Sequence, residues 1–77
     1  MVIDLTQVRP GEIGIVQELQ EGSNFTKKIQ DMGIRPGKKM KKISSHFWRG
    51  PQTVEVDNAK FAIGFGMARK ILVEVER

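Results

Sequence analysis

Turn-forming residues interrupt this chain roughly every ten positions, and that spacing constrains its fold more than any other feature. The interruptions are Pro10-Gly11, Gly22-Ser23-Asn24, Pro36-Gly37, Gly50-Pro51, Asp57-Asn58 and Gly64 to Gly66. Short elements punctuated in this way predict a closed antiparallel β unit. The length, 77 residues, is that of one domain spanning 1–77. A chain so short buries only about two-thirds of its unfolded surface, which leaves a thin core and little room for a deep cavity.

Within these limits the residue patterns predict five strands and one helix. Glu12 to Leu19 reads as the first strand, with Ile13, Ile15 or Val16, and Leu19 competing for the inner face. Its alternation breaks at Ile15-Val16, the mark of a bulge. Between Asn24 and Met32 the period changes, and Phe25, Ile29 and Met32 fall on one helical face. Ser23 or Asn24 can cap that helix and Gly33 can end it in the left-handed conformation. Arg35-Pro36-Gly37-Lys38 has the residues of a type II turn. Lys39 to Ser44 follows as a strand whose faces conflict: Met40 and Lys42 share one side, Lys39, Lys41 and Ile43 the other. Thr53 to Asp57 places Val54 and Val56 inward, Asn58-Ala59 turns the chain, and Phe61 and Ile63 line the next strand. Gly64 to Ala68 reads as a tight turn, and Ile71, Val73 and Val75 alternate as the last strand. The expected fold is therefore mainly all-β, a small barrel of about five strands with one short inserted helix that closes its side.

The chemistry a catalyst needs is missing from the pattern. With no cysteine there is neither a disulfide, a thiolate metal site nor a sulfur nucleophile. His46 is the single histidine, and it reads first as a solvated loop residue. The nine acidic residues are scattered, with no pair held for general acid–base work. The glycines match no phosphate-binding motif. No catalytic, cofactor-binding or metal-ligating residue is assigned, and no cofactor is expected. No window approaches the ~20 apolar residues of a membrane helix, and the start of the chain has no signal-peptide core, so the expected location is cytoplasmic.

Two surface features remain. Arg35, Lys38, Lys39, Lys41 and Lys42 form the densest positive cluster in a chain of net charge +4. Read plainly this is a solvated turn and strand; read functionally it is a docking patch for an acidic partner. His46-Phe47-Trp48-Arg49 sits between two strands, where a Trp and Arg pair is what interface anchors favour, although either ring could instead fold over the core. The candidate partner-binding residues are thus Arg35, Lys38, Lys39, Lys41, Lys42, His46, Trp48 and Arg49.

Taken together the segments resemble the FeoA family of small proteins that accompany the FeoB ferrous-iron permease. The resemblance rests on Leu5, Val8, Gly11, Gly14 and Val16, then Ile29, Met32, Gly33, Ile34, Pro36 and Gly37. It ends on Phe61, Ala62, Ile63, Ala68, Ile71 and Val73, so that nearly the whole chain is covered in order. It implies an SH3-like barrel and a part in ferrous iron uptake. The implied partner is the cytosolic GTPase region of the permease, which would bring the protein to the inner face of the membrane. Transition-metal binding belongs to the same association, with no ligand set visible for it. A similar barrel ends the iron- and manganese-responsive repressors, whose DNA-reading and metal-binding domains have no counterpart in these residues.

Other functions compete with this one. A nucleic-acid-binding barrel fits the size and the sign of charge, but such proteins interleave exposed stacking rings with basic residues, and five aromatics leave few to spare. A reader of proline-rich peptides needs an aromatic groove, and tyrosine is absent. Nucleic acid is therefore not the expected partner. A homo-oligomer is open, since Leu72 could bury itself in a second copy if it faces outward.

Overall fold

Alternating side chains become strand and the one helical period becomes helix, largely where expected. The computed structural model describes residues 1–20, 23–45 and 49–77, and only the backbone of Ser23 and Asn24. In chain order the elements are β1 (Val2–Asp4), a 3₁₀ turn (Leu5–Gln7), β2 (Ile13–Leu19), α1 (Ser23–Asp31) and β3 (Lys39–Ser45). They continue with β4 (Gln52–Val56), β5 (Ala59–Ile63), α2 (Phe65–Ala68) and β6 (Ile71–Val75). The strands form one antiparallel sheet in the order β1-β6-β2-β3-β4-β5.

This corrects the expected barrel in two respects. A sixth strand, β1, runs along β6 with Ile3 opposite Val73. The sheet is also not closed, because β1 and β5 are its edges and do not pair with each other. The result is a mainly β, SH3-like open sheet whose strands share one core with the helical segments. Leu5 and Val8 enter that core from the 3₁₀ turn and its exit, Ile29 from α1, Ile34 from the turn after it, and Ala68 from α2. Short helical pieces cover apolar surface that closure of the sheet would otherwise hide.

Local chemistry explains the joints. Asp4 accepts a hydrogen bond from the Thr6 amide at 2.8 Å, while Gln7 reaches back to the Asp4 amide at 3.3 Å, a capping box that starts the 3₁₀ turn. Gly33 ends α1 at φ +89° and its amide donates to the Gln30 carbonyl at 2.9 Å. The Arg35–Lys38 turn forms as expected, with Gly37 at φ +91° and the Lys38 amide bonded to the Arg35 carbonyl at 3.0 Å. The β4–β5 hairpin turns on Asp57 and Asn58, both at positive φ, with Ala59 already in the strand. Gly64 to Ala68 holds the single helical turn of α2 in place of the expected tight turn.

Bulges resolve the two strands whose faces conflicted. In β2 the register shifts between Val16 and Glu18, one residue beyond the expected break, so Gly14 and Val16 face inward and Ile13 and Ile15 outward. In β3 the shift lies between Lys42 and Ser44; Met40 and Lys42 both face inward and Ile43 is the extra residue.

Glu12 joins the ends of the described chain. It accepts from Arg77 Nε at 2.9 Å and Nη2 at 3.0 Å, and from the Arg9 amide at 2.9 Å. The hydrogen bond from Arg77, then the one from the Arg9 amide, lower its pKa from 4.5 to about 2. The folded carboxyl thus holds its proton less tightly than the unfolded one. The stabilisation is present above pH 4.5 and is lost as pH falls from there toward about 2. Chemical denaturation across that window should show a decline in stability that is shallower in Glu12→Gln.

Candidate docking surface

Strand β3 carries the basic cluster, and alternation divides it. Lys39 and Lys41 project to the outer side of the sheet and are exposed. Arg35 and Lys38 sit on the turn that feeds the same end of the strand, with Lys38 Nζ 2.8 Å from an Asp57 carboxylate oxygen across the hairpin. These four residues form one basic edge at the start of β3, with Glu55 opposite Lys41.

Lys42 does not belong to it. Its side chain is 0% exposed and points into the core, so it cannot meet a partner at the surface. There Nζ donates to the carbonyl oxygens of Leu5 and Val8, each at 2.8 Å. The Leu5 carbonyl also accepts from the Val8 amide at 3.2 Å, which closes the 3₁₀ turn, and the ammonium keeps the Val8 carbonyl paired as well. Burial pushes the lysine pKa below 10.5, and the nearby carboxylates of Asp4 and Glu12 push the other way. Lys42 is therefore a clamp between β3 and the 3₁₀ turn.

Arg49 is also separated from the cluster. It follows the far end of β3, about 20 Å of strand away from Lys39. There its guanidinium lies 5.8 Å from the centre of the Phe65 ring on α2. His46 and Trp48, with Phe47, lie outside the described residues, as do the capping side chains of Ser23 and Asn24.

Of the residues competing for the inner face of the first strand, two belong to the surface. Ile13 and Ile15 are 48% and 37% exposed, beside Lys41 and Lys39 respectively. The signal that could have found them is Gly14. A glycine in mid-strand marks a close backbone approach, and it puts its neighbours on the opposite face. An ideal Cβ on Gly14 would lie 2.4 Å from Val73 Cγ1 and 2.8 Å from the Glu74 carbonyl oxygen, so this is the crowded inner side. Leu72 alternates with buried Ile71 and Val73 and is half-buried on the outer side.

Among the described residues no group of three or more His, Asp or Glu side chains could hold a metal ion, and no helix is long and apolar enough to cross a membrane. Every buried side-chain nitrogen and oxygen described has a hydrogen-bond partner. What the geometry offers is an outer sheet face with apolar and charged residues side by side, suited to binding another molecule.

An open antiparallel sheet covered by short helical pieces defines a small SH3-like β domain. Residues 3–75 match the FeoA domain family, and the chain belongs to that family. It is 34% identical over 70 residues to the putative Fe(2+) transport protein A of Methanocaldococcus jannaschii, covering 91% of this chain and 83% of that one. It resembles the crystal structure of an iron uptake regulatory protein, FeoA, with TM-score 0.87, 35% identity and 96% of each chain covered. A manganese-dependent transcriptional repressor shares the fold with TM-score 0.88 and 20% identity, over 97% of this chain and 42% of that one.

Proposed function

We propose that this protein serves ferrous iron uptake as a non-catalytic accessory protein, docking to the cytosolic GTPase region of a FeoB-type permease and modulating it. The reading rests on membership of the FeoA family. Its location on the molecule rests on one observation: Arg35, Lys38, Lys39 and Lys41 gather at one end of β3 next to exposed Ile13. Apolar contact supplies affinity there, while the lysines steer an acidic partner into register.

Binding of the purified permease region to the chain, followed by calorimetry, tests this. Lys39→Glu/Lys41→Glu should weaken binding at least about tenfold, about 1.4 kcal/mol, and reduce its dependence on salt. Lys27→Glu/Lys28→Glu on α1 should leave it unchanged. Equal affinity in both variants would remove the basic edge from the contact. No binding by the unaltered chain would remove the partner.

A further inference from the structure

We propose that the outer face of β2 is self-complementary and docks a second copy of this chain, with a two-fold axis running parallel to β2. Paired residues of antiparallel strands project to the same side of a sheet. One row across the outer face is therefore Val2, Glu74, Ile15 and Lys39. Another is Ile13, Lys41, Glu55 and Lys60. Val2, Ile13 and Ile15, with Met1 adjoining Val2, are the exposed large apolar residues among those described. They are thus gathered on one face. Depressions flank Ile13 on both sides, one bordered by Ile15, Lys39, Glu74 and Glu76, the other by Lys39, Lys41, Glu55 and Asp57.

Charge is sorted by strand on this face. The β6 side of the isoleucines bears Glu76 and Glu74, the latter also ion-paired with the Met1 amino group, and the β3 side bears Lys39 and Lys41, with Glu55 opposite Lys41. Two copies meeting face to face are related by a two-fold axis lying in their interface. An axis across the strands would oppose Glu74 to Glu74 and Lys39 to Lys39. An axis along β2 lays β6 of one copy over β3 of the other. Glu74 and Glu76 then meet Lys39 and Lys41, twice by symmetry, while Ile13 and Ile15 bury one another on the axis. This is the aligned packing that two sheets adopt about 10 Å apart.

The area sets the strength. Three strands about 4.8 Å apart and roughly five residues long offer a patch of about 10–15 by 17 Å. That falls short of the roughly 800 Å² per partner of a standard stable complex, so the dimer is weak and reversible. It does not depend on which partner the basic edge binds. Because Lys39 and Lys41 serve both contacts, self-association and docking to an acidic partner exclude each other.

Sedimentation equilibrium of the purified chain over rising concentration tests the proposal. The chain should dimerise reversibly, and Ile13→Asp should weaken that association at least about tenfold. Lys39→Glu/Lys41→Glu makes both flanks acidic, and Glu74→Lys/Glu76→Lys makes both basic. Each alone should be monomeric, and an equimolar mixture should recover the dimer. All the altered side chains point outward, and circular dichroism checks that the variants are folded. A chain that stays monomeric at its highest soluble concentration overturns the proposal. So does dimerisation undiminished by Ile13→Asp, or a mixture no larger than its parts.

Discussion

Replacing Gly14 with valine should leave the chain unfolded at 25 °C. Gly14 lies in β2 between β6 and β3, on the face turned to the core. A Cβ there would meet Val73 Cγ1 at 2.4 Å, the Glu74 carbonyl oxygen at 2.8 Å and Val75 Cγ1 at 3.0 Å. The two valines could yield by changing rotamer, at a cost. The carbonyl oxygen could not, because it belongs to the backbone of the neighbouring strand in the β2–β6 ladder. Overpacking by a single carbon costs about 1–3 kcal/mol, so Gly14→Ala should be folded but weakened by that amount. Valine adds two further methyl groups to the same space. A domain of this size has in total roughly 4–12 kcal/mol of stability, at 0.05–0.15 per residue. Gly66→Ala in α2 is the control, since nothing lies within 4 Å of its Cβ position. It should be neutral or stabilising by up to about 1 kcal/mol, as alanine is the better helix former. Urea denaturation followed by circular dichroism distinguishes the three.

Lys42→Ala should be the next most damaging change. It removes the donor shared by the Leu5 and Val8 carbonyls and leaves the space of three methylenes and the ammonium empty. The Leu5 carbonyl keeps its bond from the Val8 amide, so one buried acceptor, at Val8, loses the partner that Lys42 gave it, at about 1–3 kcal/mol. Truncation of a long buried side chain to alanine costs about 2–5 kcal/mol more. Lys42→Met keeps most of the volume and loses only the hydrogen bonds, so its loss should be smaller, and the difference isolates the packing contribution. Lysine at this position also predicts a pH dependence. Because burial lowers its pKa in the folded state below 10.5, the unfolded chain binds more protons in the interval between the two values. Stability should therefore rise as pH climbs through that interval toward 10.5. In Lys42→Met that contribution should vanish, which urea midpoints measured from neutral pH upward will show.

How far the sequence could be read depends on where each element's determinants lie. Phe25, Ile29 and Met32 repeat within one helical stretch and Gly33 stops it, so α1 is written locally. The same holds for β4 and β6, where strict alternation puts Val54, Val56, Ile71, Val73 and Val75 inward. Strand β1 was not legible because three residues carry no period; it exists through β6, some seventy positions away. A closed barrel looked inevitable from turn spacing alone, yet closure is decided by whether the edge strands meet, which local pattern does not encode.

The surface was legible only in part. Arg35, Lys38, Lys39 and Lys41 are adjacent in sequence and remain adjacent in space. Lys42 follows the same charge pattern but faces inward, because its partners are carbonyls that the 3₁₀ turn brings from more than thirty residues upstream. Ile13 and Ile15 stay open in the sequence for a different reason: hydrophobicity favours burial, but the close approach of β6 leaves no room for a side chain at position 14. Steric exclusion at one glycine set the register of the whole strand and placed two isoleucines at the surface.

The claim that this protein acts in ferrous iron uptake through its basic edge is tested most directly by the uptake of radiolabelled ferrous iron. Cells lacking the chromosomal copy would carry the unaltered chain, Lys39→Glu/Lys41→Glu or Glu74→Lys/Glu76→Lys. The unaltered chain and the glutamate variant, which keeps the basic edge, are predicted to restore uptake, and the lysine variant to fail at equal folded abundance. Full restoration by the lysine variant, or uptake undiminished when the protein is absent, would contradict the account.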